Sequence, residues 1–531
     1  MIQQGIRPQG MAVVRHRLAK QQLLLAGLIW IAAALSAIAQ EQATVLLPAL
    51  PQEQTAAPPL NLQSIQQRLE QQEAEIQWLR SQLSELHTPT AAPLPGPAES
   101  VTPAAPQPMA PSEAADTELE ELKKRLTALE EAQSKSKVAK SIDDGWIDIS
   151  NERWSVKLGG HVQIDYITWA NADPAIAGAE NYLSFRRLRL SAEGTGYGQF
   201  DFRLQMTLEP GQGSHESQYA SPEVKDAYVS MNEIPVIGRF RIGNFFVPFG
   251  LEQVTNDTNN IFNERSIPTQ NIFTGDREVG VAFYNHTPDL NMTWAGGLFV
   301  DDMNDTIKTR FGDRQGYRVS GRLTWLPYYD EPSDGRYLVH TGVGVLYTHD
   351  YDEIARFRAR PQVQRGPILI DSGNLPSSDY TTGNVEFAVV WGPVTLQSEA
   401  YLCGVDLLSG DTITVGGAYA HVSYFLTGEN RIYERFGQHG AQFGRSRPFT
   451  NFFLTRGGFG WGAWETKARW SYLDIANTGH GVYNDMTFGF NWYWTDRMRI
   501  MFDWIHPVTN AQTVFGATNS DLIAMRYDVN W

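Results

Sequence analysis

The most chemically loaded stretch of this 531-residue chain is Arg186-Arg187-Leu188-Arg189. A guanidinium is permanently charged and presents a planar fork of donors, so a group of them forms a surface suited to two-oxygen acceptors such as phosphate or carboxylate. His161 and Arg203 lie on stretches with the same polar alternation and complete the set of candidate anion contacts. Catalytic constellations are missing from the pattern: there is no Gly-x-Ser-x-Gly, no His-Glu-x-x-His and no phosphate-cradling glycine loop. The single Cys403 excludes an internal disulfide and a multi-cysteine metal site. Asp301, Asp302 and Asp305 offer oxygen ligands for a hard cation, but such a run reads first as a solvated loop. No cofactor, metal site or catalytic residue is expected.

The elements that must hold these side chains are strands. Trp154, Val156, Leu158, Gly160, Val162, Ile164 and Tyr166 alternate with Ser155, Lys157, Gly159, His161, Gln163 and Asp165, a period of 2. Phe200, Phe202, Leu204, Met206 and Leu208 alternate in the same way with Asp201, Arg203, Gln205, Thr207 and Glu209. A soluble sandwich would show such alternation too. Strands of about ten residues, aromatics near strand ends and alternating short and long connections favour an antiparallel membrane barrel. The last strand supports it, with Ile523, Met525, Tyr527, Val529 and the terminal Trp531 on one face. Strand-like runs between 154 and 531 number sixteen, an even count that returns both ends to the periplasm. One connection resists: Thr427 to Gly457 is long yet falls on the short-turn side, so either a strand pair is hidden there or it folds into the lumen. The fold class is therefore all-β, a 16-stranded antiparallel transmembrane barrel over 145–531, wide enough for an aqueous channel.

Upstream, the pattern changes. Arg15, Arg17 and Lys20, the apolar run Leu23 to Leu35 and Ala37-Ile38-Ala39 read as a signal peptide over 1–39. Residues 40–59 are Pro, Ala and Gln rich and look disordered. Leu62, Ile65, Leu69, Gln72, Ile76, Leu79, Leu83 and Leu86 form a heptad seam, placing a short coiled coil at 60–87. A Pro-rich linker spans 88–112, and a second short coiled coil, with Leu119, Leu122, Leu126 and Leu129, spans 113–140. Seams this short gain stability by association, which implies self-assembly. The net charge of -16 argues against a nucleic-acid partner. That total does not decide what the lumen prefers, because a narrow pore responds to its nearby charges. The barrel half carries 31 bases against 43 acids.

Phe185-Arg186-Arg187-Leu188-Arg189-Leu190 with Glu193-Gly194 resembles the second-strand motif of the phosphate-selective porin O/P family. Further matches follow in order: Lys225-Asp226-Ala227-Tyr228-Val229, Gly243-Asn244-Phe245 with Pro248-Phe249-Gly250-Leu251-Glu252, and Glu264-Arg265-Ser266. Arg277 with Val279-Gly280-Val281, Arg356-Phe357-Arg358-Ala359-Arg360-Pro361, Phe425-Leu426-Thr427-Gly428-Glu429 and Asn491-Trp492-Tyr493 complete the series. The resemblance implies a trimeric outer-membrane porin whose third loop, here 248–277, folds inward and narrows the pore, and whose arginines draw in anions. It sets two conditions on this chain. Strict alternation would turn Arg186 toward lipid, so its luminal placement requires a bulge or a site near the rim. His161 stands where the phosphate-selective members carry Arg, and only four lysines lie beyond residue 144, so no lysine ladder exists and a general small-solute channel is favoured over strict phosphate selectivity.

The expected partners are outer-membrane lipid, small solutes or inorganic anions, two further copies in a homotrimer, and the cell wall through 60–140. A structural reading competes for the arginines, pairing with Asp165, Asp201 and Glu209 on the same face. For the whole chain, the alternatives are a tether to the cell wall and, less favoured, a barrel enzyme with a dispersed site.

Overall fold

In this computed structural model the described residues are 147–148, 153–209, 223–270, 272–300, 316–452 and 459–531. The segments expected over 1–140, from signal peptide to second coiled coil, lie outside them. Sixteen long strands follow one another: β1 Trp154–Asn171, β2 Tyr182–Gly196, β3 Phe200–Thr207, β4 Glu223–Ile234, β5 Gly238–Phe246, β6 Arg277–His286, β7 Met292–Val300 and β8 Tyr317–Tyr329. The series continues with β9 Tyr337–His349, β10 Leu375–Trp391, β11 Val394–Leu407, β12 Thr412–Phe425, β13 Ala463–Asp474, β14 Val482–Tyr493, β15 Met498–Thr509 and β16 Asp521–Asn530. Each pairs antiparallel with the next, and β16 pairs with both β15 and β1, so the sheet closes. Closure is completed by the terminal residue, because Trp531 and Gly160 exchange both main-chain hydrogen bonds at 3.0 Å.

Burial is inverted relative to a soluble protein. Leu183 is 70% exposed and Leu402 64%, whereas Arg241 is 1% and Asp528 0% exposed. A soluble sandwich would hide the leucines, so the outward apolar band identifies a lipid-facing surface. Aromatic contacts mark its margin near the tight turns, including Tyr328 with Trp391 and Trp464 stacked on Trp492 at 4.9 Å.

Two irregularities re-aim side chains. The register of β1 and β2 shifts where Gln163 faces Arg187 and Ile164 faces Phe185, which leaves Arg186 as an extra residue. Arg186 and Arg187 are consequently both buried on the inner face, so of the two alternatives, a bulge or a site near the rim, the bulge is the one present. A second shift, between β3 and β4, leaves Lys225 as the extra residue beside Asp226.

The long connection after β12 satisfies both alternatives. Its Tyr433–Gly437 and Gly440–Phe443 pair as a small hairpin, and the hairpin lies inside the barrel. Arg241 Nη2 donates to Gln438 O at 2.8 Å, Arg322 Nη1 donates to Ala441 O at 2.9 Å, and Tyr433 packs with Leu251, Leu326 and Leu338.

Gly243 on β5 shows how tightly the wall is built. Its φ is +133°, and a Cβ there would lie 2.1 Å from Ala227 O. We expect Gly243→Ala to cost on the order of 3 kcal/mol in backbone strain and overlap. The check is the folded, heat-modifiable fraction on unheated gels, which should fall sharply relative to Gly383→Ala, whose nearest neighbour would be 3.9 Å away.

Candidate functional site

Among the described residues, three segments fill the lumen. From the long-loop end come the third loop, 247–276, and the fifth, 350–374; from the tight-turn end comes the Tyr433–Phe443 hairpin. The third loop opens with a one-turn helix, α1, Leu251–Val254. Helix starts leave amide donors unpaired, and here a wall carboxylate takes them: Leu251 N and Glu252 N donate to Glu399 on β11 at 2.9 and 2.7 Å. Farther along, Phe273 packs against Phe357 of the fifth loop, with ring centroids 5.9 Å apart.

The arginines of β2 meet this third loop. Arg186 holds Glu264 through both its Nε and Nη2, at 2.5 and 2.7 Å. Asp257 gathers three guanidiniums, Arg187 at 3.1 Å, Arg189 at 2.8 Å and Arg265 at 2.9 Å. Burial alone would raise the pKa of each of these loop carboxyls. The guanidiniums outweigh it, Arg187, Arg265 and Arg189 at Asp257 and Arg186 and Arg526 at Glu264, and both carboxyls are held well below the usual range.

Two chambers flank this contact. The loop-end chamber, about 550 Å³, is lined by nine basic side chains, among them Arg186, Arg187, Arg189 and Lys225, against five acidic ones. The turn-end chamber, about 590 Å³, is lined by four basic and three acidic side chains, with Arg203 among them. Asp226 joins the two, because Arg203 of the turn-end chamber reaches it at 3.3 Å and Arg277 of the loop-end chamber at 2.8 Å. Asp257 sits at the same boundary, between Asn256 and Asn259, which line the turn-end chamber, while its own side chain lines the other.

Of the five candidates, Arg186, Arg187 and Arg189 converge on the loop-end chamber, and Arg203 faces the turn-end one. His161 stands apart, buried against Asp528 with Nε2 at 3.1 Å from its Oδ1. The expected acid partners are also redistributed. Glu209 does approach Arg189, at 3.6 Å, but Asp165 pairs with Arg526 and Asp201 accepts from Asn232. Sequence reasoning did not single out Asp257, Glu264 or Arg265 as contacts.

It also treated Arg356, Arg358 and Arg360 only as a motif. All three line the loop-end chamber from the fifth loop. Arg356 is held by Asp371 at 2.5 Å, whereas neither Arg358 nor Arg360 has a carboxylate within ion-pair distance among the described residues. The alternate spacing of three arginines in a long connection was the available signal.

A closed sixteen-stranded barrel with an arginine-lined, loop-constricted lumen is matched by one family model, phosphate-selective porin O and P, over residues 156–531. The chain belongs to this family. Its barrel is that of an outer-membrane porin. Among curated relatives, an uncharacterised protein of Caulobacter vibrioides is 28% identical over 343 residues, covering 59% of this chain and 65% of the relative. Porin O of Pseudomonas aeruginosa is 24% identical over 402 residues, covering 68% of the porin described here and 85% of its own length. Among solved structures, an anion-selective porin from Comamonas acidovorans has a TM-score of 0.43 at 13% identity, covering 71% of this chain and 100% of that one. An outer-membrane protein of Vibrio cholerae, OmpT, also has a TM-score of 0.43, at 10% identity, covering 72% of this chain and 100% of that one.

Proposed function

We propose that this porin is a passive, anion-preferring channel for small solutes across the outer membrane, with phosphate among the anions that enter it. The observation that carries the reading is the loop-end chamber, where bases outnumber acids and neither Arg358 nor Arg360 is paired with a carboxylate among the described residues. Field lines focus in a narrow low-dielectric passage, so a local excess of cations concentrates anions there despite the negative total. Guanidiniums do not surrender protons near neutral pH, which makes them groups for recognition and passage and unsuited to acid–base turnover. For this reason we read the barrel as a channel and not as an enzyme. Assembly as a homotrimer is part of the same reading and follows from the family resemblance.

Phosphate binding is expected to be weak. Arg186, Arg187, Arg189, Arg203 and Arg277 each already hold a carboxylate, and an anion must share or displace it. In planar bilayers the purified protein should give discrete conductance steps with a reversal potential favouring chloride over potassium. Phosphate should reduce the chloride current, and Arg187→Ala should weaken that block. A sealed bilayer, or a preference for potassium, would overturn the reading.

A further inference from the structure

Among the described residues, the cations on β1 to β6 line the chambers, and Arg318 and Arg322 of β8 pair with Glu278 and Glu386. Lys467 and Arg469 of β13, Arg499 of β15 and Arg526 of β16 line neither chamber. Their donors go to the main chain of the third loop. Arg499 Nη1 donates to Asn260 O at 2.8 Å, Lys467 Nζ to Ile261 O at 2.8 Å and Arg469 Nη1 to Glu264 O at 2.9 Å, while Arg526 Nη1 donates to Asn263 O. Neutral side chains extend the row: Asn491 Nδ2 donates to Ile261 O at 2.9 Å, and Ile267 N donates to Ser471 Oγ at 3.0 Å.

The physical need is plain. This stretch of loop is buried without a strand beside it, and buried carbonyls require donors. The wall supplies them from side chains. Each of the four cations is also matched by a carboxylate: Lys467 by Asp503 at 2.6 Å, Arg499 by Asp528 at 2.9 Å, Arg526 by Asp165 at 2.6 Å and Arg469 by Glu252 at 3.4 Å. Neutralised and turned into the loop, they add little to the field that a solute meets.

We propose that Lys467, Arg469, Arg499 and Arg526 are positioning residues, a clamp that holds the third loop against one wall and so fixes the gap in which Asp257 and Arg265 face Arg187 and Arg189. The clamp sets the size limit of the pore, and the chamber arginines set its charge preference. This inference rests on the channel reading. It separates from that reading because loss of an attractive charge lowers anion conductance, whereas loss of the clamp raises it.

The test uses the full-length protein in planar bilayers, with chloride and gluconate as the small and large anions. The double variant Asn491→Ala/Ser471→Ala removes two clamp contacts without changing any charge. It should raise unitary conductance about twofold and admit gluconate, since a site held about 1 Å too loosely loses its selectivity. Arg469→Gln should move conductance and gluconate entry in the same direction. Unchanged conductance and gluconate exclusion in the neutral variant would overturn the clamp, as would a fall in conductance for Arg469→Gln with gluconate still excluded. If the double variant fails to assemble, Asn491→Ala alone gives the same reading. A wild-type protein that does not conduct would sink the channel reading instead.

Discussion

Asp257→Asn is expected to let phosphate block chloride current at roughly a tenth of the concentration that the unaltered porin needs, a shift of about 1.4 kcal/mol. The carboxylate lies within 3.1 Å of Arg187, 2.8 Å of Arg189 and 2.9 Å of Arg265. Removing one partner from a buried ion pair costs about 3–5 kcal/mol, because the remaining charge is left uncompensated. If an incoming phosphate recovers even a third of that, the tenfold gain follows. The same linkage gives a second reading on the same variant. In phosphate-free buffer it should melt below the unaltered protein, and phosphate at about a hundred times its Kd should return about 2.7 kcal/mol. Heat-modifiability on gels with and without phosphate measures that recovery. Unchanged block together with a lowered melting point that phosphate does not restore would show that the three arginines serve loop packing alone.

Much of the wall was legible, and the reason is period. Alternation over Trp154 to Tyr166 and over Ile523 to Trp531 predicts which side chains meet lipid, and in the structure His161, Gln163, Asp165 and Arg526 all turn inward. The bulge at Arg186 was one of the two ways, with a site near the rim, for that charge to avoid lipid. Partner choice was harder, because it depends on closure. Asp165 and Arg526 are 361 residues apart yet face each other in register across the β16–β1 seam. Pairing the first strand with the last would have found that contact. The lumen filling was the least legible part. Asp257 sits in Thr255-Asn256-Asp257-Thr258-Asn259, a polar run that reads as turn chemistry, and nothing local to it records that Arg187 and Arg189 lie opposite. The hairpin at Tyr433–Phe443 announced itself only through the length of its connection, and its exact place was hidden for a related reason, since its apolar residues pack on Leu251 and Leu338 and show no period of their own.

Arg358→Gln/Arg360→Gln should produce the largest loss of charge preference. At about 8 Å in water each charge contributes about 0.5 kcal/mol to an anion, so removing both lowers its local concentration about fivefold, and by more where the wall reduces the dielectric. The chloride-to-potassium permeability ratio, from reversal potentials in a salt gradient, should fall by that factor at low salt. At about 1 M salt, where the screening length is near 3 Å, the two proteins should converge. Arg356 supplies the control. It is tied to Asp371 at 2.5 Å, so Arg356→Gln/Asp371→Asn removes opposite charges together and should leave the ratio in place. If the control shifts selectivity as much as the Arg358 and Arg360 pair does, loop shape is responsible and not guanidinium charge. If neither variant shifts it, anions are selected deeper, at the Asp257 and Asp226 knots where the two chambers meet.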